Sequence, residues 1–389
     1  MKISELILKV TSKCNLNCRY CYVFNQGDES YKYDIPFMSR ETMLQVIKRI
    51  NEYCTKNNLK DFLVIFHGGE PLLADISIYK EFSDNVKKYI PGIDVRLALQ
   101  TNGTLLTDEW IKLFNELNIS VGLSLDGPET ATKSRIFRSN NKNAYHEIIQ
   151  GINLLHKNNY PVSILSVINV DEKPENIYMH LKNNNISFAD FLYPDKTYDN
   201  RQESDSQISL WLIELFNLWY NDNSSNKPFI RSFDIIIGLL LGVERGNETV
   251  GRKNNNTICI KPNGNIQAVD NLMVCGNEFT KTKYNVFENT IDESLETPLI
   301  KKYYNSHTNK ELSTQCKKCT IKNICGGGHL AHRYSIKNGF DNPSVYCLEI
   351  FKLVLHIQNR LIDDMAEFSM EEIKIDKLTV NDHPQYYVQ

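Results

Sequence analysis

Long hydrophobic runs are missing from this 389-residue chain, and so is an excess of charge of either sign. No apolar stretch reaches the roughly 18 residues that a membrane-spanning helix needs. Lys2, Glu5 and Lys9 stand where a secretory signal peptide would have its apolar segment, so export is not expected. Lys and Arg number 44 against 47 Asp and Glu, a net charge of −3. We therefore expect a cytoplasmic protein without a nucleic-acid or a membrane partner.

Cysteine, in contrast, is plentiful, with ten in the chain. Disulfides do not readily explain cysteines in a reducing cytosol, so metal or cluster binding is the leading interpretation. Hydrophobic residues (41%) and charged residues (23%) lie within ordinary globular usage. The length predicts about two to three domains.

Six predicted strands alternate with amphipathic helical segments in the first half of the chain. The strands are expected at 5–10, 62–66, 95–99, 120–125, 162–167 and 190–193, and the helices at 39–57, 108–117, 143–157 and 174–181. Strand-helix units in series indicate a parallel sheet with helices outside it. Six units are fewer than the eight of a closed barrel, which favours an open α/β partial barrel with ligands at the carboxyl ends of its strands.

Changes in composition divide the chain into four predicted segments. Residues 1–225 form the partial barrel and 226–254 a helical linker. Residues 255–348 are rich in Cys, Gly and Asn, with few apolar runs, so we expect metal binding to hold that segment. Residues 349–389 form a C-terminal helix and tail.

Three cysteines directly follow the first predicted strand. Cys14, Cys18 and Cys21 have the spacing C-x3-C-x2-C, which can hold three corners of a 4Fe–4S cluster on one tight loop. Three ligands leave one iron open to a substrate or cofactor. A zinc site would need a fourth ligand, and the nearest histidine, His67, lies on another strand. A chance group of buried thiols is the alternative.

A second group of cysteines lies in the C-terminal third of the chain. Its members are Cys316, Cys319, Cys325 and Cys347. Four thiolates around a Gly-rich segment suit a closed zinc site or a fully ligated 4Fe–4S cluster. Spacing alone leaves both open.

The first group, with Tyr20 directly before its third cysteine, resembles the signature of the radical S-adenosylmethionine (SAM) enzymes. The second strand is followed by a GGEP segment, formed by Gly68, Gly69, Glu70 and Pro71. In that family this segment binds the amino group of SAM. Glycines let a backbone approach a ligand closely, and a carboxylate can pair with an ammonium. The resemblance implies a partial (β/α)6 TIM-like barrel that holds SAM and an open 4Fe–4S cluster.

The ends of the third and fourth strands supply the remaining SAM positions that the resemblance implies. Gln100 and Asn102 end the third strand, although turn and cap chemistry would explain them equally well. Ser124 would hydrogen-bond the ribose. Arg135 would meet the SAM carboxylate and is preferred to Arg138, which overshoots the usual offset.

The second group resembles the SPASM domain, which holds auxiliary clusters in radical SAM peptide maturases, so iron–sulfur is favoured over zinc there. His329 replaces one cysteine of the fuller pattern, and Val269 replaces another. Cys259 and Cys275 could still bind a second auxiliary cluster with His329, or they could be core cysteines. We expect one auxiliary 4Fe–4S cluster, at the four cysteines of the second group.

Longer stretches resemble the subgroup of these maturases that forms three-residue cyclophanes. They include CYVFNQGDESYK, HGGEPLL and CGGGHLAHRY, over residues 5 to 350. The resemblance implies a ribosomally made precursor peptide and an electron donor such as flavodoxin or ferredoxin. A 5′-deoxyadenosyl radical would take a β-hydrogen, and the β-carbon would then join an aromatic ring carbon of the residue two positions earlier. Asp270 matches a proposed catalytic aspartate of related enzymes and is our candidate base.

Two other functions stay open. The protein could be another SPASM maturase, either thioether-forming or sulfatase-activating. It could also be a non-catalytic zinc-binding interaction protein. The GGEP segment and the QTNG segment (residues 100–103) at strand ends would then have no role. No recognition domain precedes the first strand, so we expect the leader of the precursor to bind a sheet edge, the Cys-rich domain or a separate protein.

Overall fold

A computed structural model describes residues 1–202, 207–277, 279–368 and 376–384. Its strands form one nine-stranded sheet. They are β1 (Glu5–Thr11), β2 (Asp61–Gly68), β3 (Asp94–Thr101), β4 (Ile119–Ser124), β5 (Ser163–Val167), β6 (Phe188–Leu192), β7 (Phe229–Ile230), β8 (Thr257–Ile260) and β9 (Ile266–Gln267). All six predicted strands are confirmed, as β1 to β6.

The α-helices connect and cover this sheet. They are α1 (Arg40–Lys56), α2 (Ile76–Tyr89), α3 (Asp108–Leu117), α4 (Glu129–Thr132), α5 (Tyr145–Lys157), α6 (Pro174–Asn183), α7 (Ile208–Tyr220), α8 (Arg231–Leu240), α9 (Ile291–Ser294), α10 (Pro298–Tyr304), α11 (Thr314–Lys318), α12 (Lys322–Cys325) and α13 (Cys347–Phe368). Within the described ranges, no helix has both the length and the apolar character needed to cross a membrane.

The sheet is parallel from one edge almost to the other. Its strand order is β7-β6-β5-β4-β3-β2-β1-β8-β9, and each neighbouring pair is parallel except β8 and β9. Consecutive strands from β1 to β6 therefore lie side by side, as strand-helix units require. The predicted open, partial α/β barrel is confirmed.

Side chains on these strands alternate between two faces. On β1 and β2 the residues Leu6, Leu8, Val64 and Phe66 are fully buried in the cluster formed with the covering helices. Ile7, between Leu6 and Leu8, faces the other way and lines a central cavity. This alternation gives the barrel an apolar outer layer and leaves its concave face available for ligands.

Local sequence accounts for most of the crossover helices. Ser39 caps α1, because its hydroxyl accepts a hydrogen bond from the Thr42 N–H at 3.1 Å, and Ile47 and Ile50 are fully buried as predicted. The helix α2, in contrast, is missing from the prediction. Its buried stripe consists of Tyr79, Phe82, Ser83 and Val86, which is too polar and too aromatic to stand out as a helical pattern.

The sheet continues past the predicted barrel segment on both sides. The strand β7 pairs with β6 at one edge, and β8 pairs in parallel with β1 near the other, with Cys259 opposite Ile7. Strands from residues 226–254 and from residues 255–348 thus extend the sheet of the barrel. The four segment boundaries themselves stay a prediction.

Candidate functional site

The first cysteine group occupies a loop at the carboxyl end of β1. Cys14, Cys18 and Cys21 are half-buried and form no disulfide. The Leu16 N–H donates to the Cys14 sulfur at 3.4 Å, and the Cys21 N–H donates to the Cys18 carbonyl at 3.0 Å. These contacts make the compact turn that the spacing predicts.

The chemistry of these thiols fits an iron–sulfur cluster. Burial raises the pKa of Cys14 to about 12 and that of Cys18 to about 11, and repulsion between the thiolates adds to both. Burial also raises the pKa of Cys21, against the effect of nearby N–H groups. Three thiols on one loop become thiolates when a cationic metal centre compensates their charge.

The two glycines of GGEP lie against this loop. A β-carbon on Gly69 would be 2.2 Å from the Lys13 carbonyl oxygen, and one on Gly68 would be 2.1 Å from that of Thr11. The Gly69 N–H donates to the Thr11 carbonyl at 3.0 Å, and the Glu70 N–H donates to the Lys13 carbonyl at 2.8 Å. Glycine is therefore required because two backbones touch, in addition to any contact with SAM.

The Glu70 carboxylate joins the same loop to the end of β3. It is 1% exposed and accepts hydrogen bonds from the Thr101 hydroxyl at 2.6 Å, the Asn102 N–H at 2.8 Å and the Leu72 N–H at 3.0 Å. Burial raises its pKa to about 7, although these donors oppose the shift. Pro71 directly follows and starts a short 3-10 turn, residues Pro71–Leu73. The Glu70 carboxylate thus joins the GGEP segment to the end of β3 by hydrogen bonds within the protein. Its contact with the ammonium group of SAM stays a prediction.

The polar residues at the ends of β3 and β4 contact one another. The Gln100 amide donates to the Ser124 hydroxyl at 2.9 Å. The Asn102 amide donates to the side chain of Asn15, inside the first cysteine loop, at 2.9 Å. The structure therefore brings the predicted strand-end residues to the same edge of the sheet as the cysteines.

Arg135 pairs with a carboxylate of its own protein. Its Nε and Nη2 donate to Asp126 at 3.0 and 2.9 Å, and the Tyr20 hydroxyl donates to the same carboxylate. The guanidinium carbon also lies 5.4 Å from the centre of the Tyr20 ring. Arg135 thus connects the cysteine loop to the end of β4, and its contact with the SAM carboxylate stays a prediction.

A cavity of about 750 Å³ opens on the concave face of the sheet. Alternate strand residues line it, together with polar side chains from beyond β8. Its polar lining includes Tyr22, His67, Gln100, Asp195, Asp270, His329 and His332. Burial raises the pKa of Asp195 to about 7. Tyr22 directly follows Cys21, so the cavity borders the first cysteine loop, although the three cysteines themselves are not among its lining residues.

Asp270 lies in the wall of this cavity and forms a buried ion pair. Its carboxylate is 3.0 Å from the Lys9 ammonium, and both side chains are less than a tenth exposed. Burial by itself would raise the pKa of Asp270, but Lys9 and then His67 outweigh it and hold the pKa below its ordinary value. Asp270 is therefore ionised at neutral pH and able to accept a proton.

The second cysteine group surrounds a small cavity near the start of α13. All four thiols line it. Cys316 lies on α11, and Cys319 directly follows the last residue of that helix. Cys325 is the last residue of α12, and Cys347 is the first residue of α13. Burial raises the pKa of Cys325 to about 12, and Cys316 and Cys319 raise it further. Four thiols around one cavity are a donor set that suits a fully ligated 4Fe–4S cluster. In the part of the chain that the structure describes, no group of three or more His, Cys, Asp or Glu side chains is arranged to hold a single metal ion.

Arg333 holds the glycine-rich turn that follows Cys325. It is fully buried and donates to the carbonyl groups of Gly326, Gly327 and Gly328 at 2.6 to 3.0 Å. It also donates to the Ser306 carbonyl at 2.7 Å. Its role is thus to shape the turn beside the cysteines.

The three residues considered for a second auxiliary cluster each have other surroundings. Cys259 is buried in β8, and the Cys275 sulfur is 4.0 Å from the Ala331 carbonyl oxygen. The His329 Nε2 is 2.6 Å from the Asn271 side-chain amide, and its Nδ1 accepts from the Ala331 N–H at 3.2 Å. A second auxiliary cluster stays a hypothesis.

Sequence reasoning did not assign Lys9 or Asn15 to the site, and it placed Thr101 and Asp126 only at strand ends that face a common ligand, without a role for either. Asp126 had a signal, because Asp-Gly follows a predicted strand. Lys9 had none, since a lysine in a strand is ordinarily exposed.

Comparison with known proteins identifies the chemistry. The profile of the Radical SAM superfamily matches residues 8–182. The chain is 28% identical over 378 residues to a serine-type anaerobic sulfatase-maturating enzyme of Bacteroides thetaiotaomicron, which covers 90% of this chain and 88% of that protein. It is 28% identical over 361 residues to a cysteine-type anaerobic sulfatase-maturating enzyme of Clostridium novyi, with 90% and 93% covered.

Solved structures give the same fold. Native anSMEcpe with bound AdoMet superposes with a TM-score of 0.77 at 23% identity, covering 94% of this chain and 100% of that one. SuiB of Streptococcus suis superposes with a TM-score of 0.57 at 14% identity, covering 88% and 76%.

The fold and the site are those of radical SAM enzymes, whose superfamily profile covers 175 of the 389 residues. The protein has the radical SAM α/β fold with a parallel sheet and a Cys-rich C-terminal part. Its cofactors are S-adenosylmethionine and a 4Fe–4S cluster.

Proposed function

We propose that this radical SAM enzyme is a maturase that modifies a peptide or protein substrate at the β-carbon of a side chain. The observation that carries the proposal is the cavity of about 750 Å³, which joins the first cysteine loop, the polar ends of β2 and β3 and the ionised Asp270. A peptide segment can enter such a space, and a single carbon can lie close to both the cofactor and the base.

Cys14, Cys18 and Cys21 would hold the cluster, and the strand ends would hold SAM. When bound, these cofactors supply a carbon radical that removes a hydrogen atom from the substrate. The residues of this chain orient the substrate, exclude water and accept a proton. We assign proton acceptance to the Asp270 carboxylate, which Lys9 keeps ionised.

Oxidation of a cysteine or serine side chain is the first candidate outcome. The similarity to sulfatase-maturating enzymes over about nine-tenths of the chain favours it. A serine that loses a β-hydrogen atom to the carbon radical, and then one proton and one electron, becomes an aldehyde; the proton would pass to Asp270 and the electron to the auxiliary cluster proposed at the second cysteine group. A cysteine gives a thioaldehyde, which water converts to the same aldehyde with release of hydrogen sulfide.

Cyclophane formation is the second candidate outcome. It is supported by the long motifs around the two cysteine groups and by Val269 and His329, which replace cysteines of the fuller SPASM pattern. In this reaction the β-carbon radical attacks an aromatic ring carbon of a nearby residue. The adduct then loses one electron, which would pass to the proposed auxiliary cluster, and one proton, which would pass to Asp270, and this restores the aromatic ring.

A peptide partner is supported by two structural neighbours that hold peptides, anSMEcpe with the Cp18Cys peptide and SuiB with its precursor peptide SuiA. We propose a ribosomally made peptide or protein as substrate and a flavodoxin or ferredoxin as electron donor.

The first test is anaerobic formation of 5′-deoxyadenosine by reconstituted protein with SAM and dithionite. We expect the Cys14→Ala variant to lose it and Cys54→Ala to keep it, because Cys54 is buried on α1 away from the loop. Zinc in place of iron, with no SAM cleavage, would instead support the zinc-binding interaction protein.

Product chemistry then separates the two candidates. Peptides with a cysteine or serine, and peptides with an aromatic residue two positions before a β-methylene residue, are incubated with the enzyme. An aldehyde that reacts with a hydrazide probe supports side-chain oxidation. A mass two hydrogens lower, no hydrazide reaction and a new carbon–carbon connection by NMR support the cyclophane. We expect Asp270→Asn to keep 5′-deoxyadenosine and to lose the product.

A further inference from the structure

The last described segment of the chain, residues 376–384, lies against the second cysteine group. The His383 side chain is buried, with 1% of the residue exposed, and its Nε2 is 3.4 Å from the Cys347 sulfur. Its ring meets the Phe351 ring edge to face, with 4.9 Å between centres. Pro384 lines the cavity that the four cysteines surround. The segment therefore covers this cavity with a histidine in contact with one thiol.

Contacts that do not involve the His383 ring hold this segment in place. The Asn359 amide on α13 donates to the Leu378 carbonyl at 2.8 Å, and the Thr320 hydroxyl donates to the Asp382 carbonyl at 3.2 Å. Leu378 packs against the apolar cluster that contains α13. A change of the His383 ring should therefore leave the segment docked.

The chemistry of a cluster ligand decides what this contact does. A thiolate bound to iron carries no proton, so it can only accept a hydrogen bond. The ring nitrogen facing it is then an N–H donor. An N–H donor to a cluster sulfur stabilises the more negative, reduced state of the cluster and so raises its reduction potential, and exclusion of water is a second influence on that potential.

We propose that His383 is a positioning residue that donates a hydrogen bond from Nε2 to the Cys347 sulfur of the auxiliary cluster and raises the reduction potential of that cluster. This inference rests on the proposed auxiliary 4Fe–4S cluster at the four cysteines of the second group. It assigns a redox role to the C-terminal segment, which the sequence identifies only as a polar tail.

The test uses the full chain with Cys14, Cys18 and Cys21 all changed to Ala, so that only the auxiliary cluster contributes a signal. Its midpoint potential is measured by a redox titration followed by EPR. In that background, His383→Phe keeps an aromatic ring against Phe351 but has no donor, whereas His383→Gln keeps a side-chain N–H. His356→Phe is the matched control, because the His356 Nε2 lies 2.7 Å from the Asn217 side-chain oxygen on α7.

We expect about four irons per chain in all these variants. His383→Phe should shift the midpoint potential to a more negative value, His383→Gln should restore part of the shift, and His356→Phe should leave it unchanged. Equal potentials in His383→Phe and the parent, with iron retained, would overturn the role of His383 and leave the cluster site intact.

Two other results are also decisive. If the His383→Phe variant loses its iron, the His383→Gln variant is compared with the parent instead. A midpoint potential of His383→Gln near that of the parent supports the hydrogen bond to Cys347. Loss of iron from His383→Gln as well contradicts the proposed role of His383. Absence of iron from the parent protein itself would overturn the auxiliary cluster, and with it this inference, while SAM cleavage by the wild-type protein would still test the proposed function separately.

Discussion

At the scale of single residues, pairs of buried charges determine how the strand ends are arranged. Lys9 pairs with Asp270, 261 positions away in the chain, and Arg135 pairs with Asp126, nine positions away. The members of both pairs are less than a tenth exposed. Burying a charge is unfavourable unless its partner is in place, so each pair is strongly coupled.

Lys9→Met should therefore destabilise the cluster-free protein. Removing one member of a buried ion pair leaves an uncompensated charge and costs about 3–5 kcal/mol. Urea unfolding under anaerobic conditions measures the loss. The double variant with Lys9→Met and Asp270→Asn should recover part of the lost stability, because it no longer has an unpaired buried carboxylate.

The matched control is Lys80→Met, since Lys80 and Glu116 form an exposed pair at 3.5 Å. Its effect should stay within about 0.5 kcal/mol. Equal losses for Lys9→Met and Lys80→Met would show that the buried pair has no special role.

A second residue-scale prediction concerns pH. Burial lowers the pKa of His180 to about 4, and its Nε2 is 3.0 Å from the Tyr145 hydroxyl. An unfolded histidine binds a proton below about pH 6.5, so between about pH 4 and 6.5 the unfolded state binds more protons. Stability should rise with pH across that window.

The His180→Gln variant should reduce this dependence. Its loss of stability between pH 7 and pH 5 should be smaller than that of the wild type by about 1–2 kcal/mol. Urea unfolding at the two pH values gives the comparison. His146→Gln, at an exposed position of α5, should keep the wild-type dependence, and an unchanged dependence in His180→Gln would contradict the assignment.

At the scale of elements, the parallel strands bring their loops to one edge. The alternation of strands and helices predicts β1 to β6, and Ser39 predicts the start of α1. The helix α2 escapes prediction because Ser83 and two aromatic residues occupy its buried stripe. The strands β7 and β8 escape it because two and four residues are too few for a pattern, and pairing with β6 and β1 forms them.

The prediction at this scale concerns the close backbone contact between the GGEP segment and the first cysteine loop. Gly69→Ala would place a β-carbon 2.2 Å from the Lys13 carbonyl oxygen, which is backbone and cannot easily move. We expect this variant to lose the iron of the first cluster and SAM cleavage, as measured by iron content and 5′-deoxyadenosine.

Gly92→Ala is the control for backbone strain, because Gly92 has φ +84° but nothing within 4 Å of an added β-carbon. It should keep both properties and lose only about 1 kcal/mol of stability. Normal iron and cleavage in Gly69→Ala would mean that the two loops do not need this contact.

At the scale of the whole molecule, one sheet supports both cysteine regions. The strand β8 adds to β1, so the chain that leads to the second group starts inside the barrel sheet. The helix α13 then leaves Cys347 and packs beside α7 and α8, with Val354 and Ile357 buried. The two cysteine groups are thus attached to one framework.

The iron content tests this arrangement. Anaerobically reconstituted wild-type protein should hold about eight irons per chain, and the variant with Cys14, Cys18 and Cys21 changed to Ala about four, because each site binds one 4Fe–4S cluster. Iron and sulfide assays measure both. About twelve irons would instead support a further cluster at Cys259, Cys275 and His329, and stoichiometric zinc would contradict the auxiliary cluster.

The sequence by itself determined the cysteine spacings, the order of strands and helices, and the edge of the sheet where ligands bind, because these depend on residues close together in the chain. Only the tertiary structure decided which partners the charged residues have. Glu70 bonds to Thr101 and Asn102, Asp270 pairs with Lys9, and His383 meets Cys347. The residues of these pairs are 31, 32, 261 and 36 positions apart in the chain. Their energies come from burial, which local sequence does not reveal.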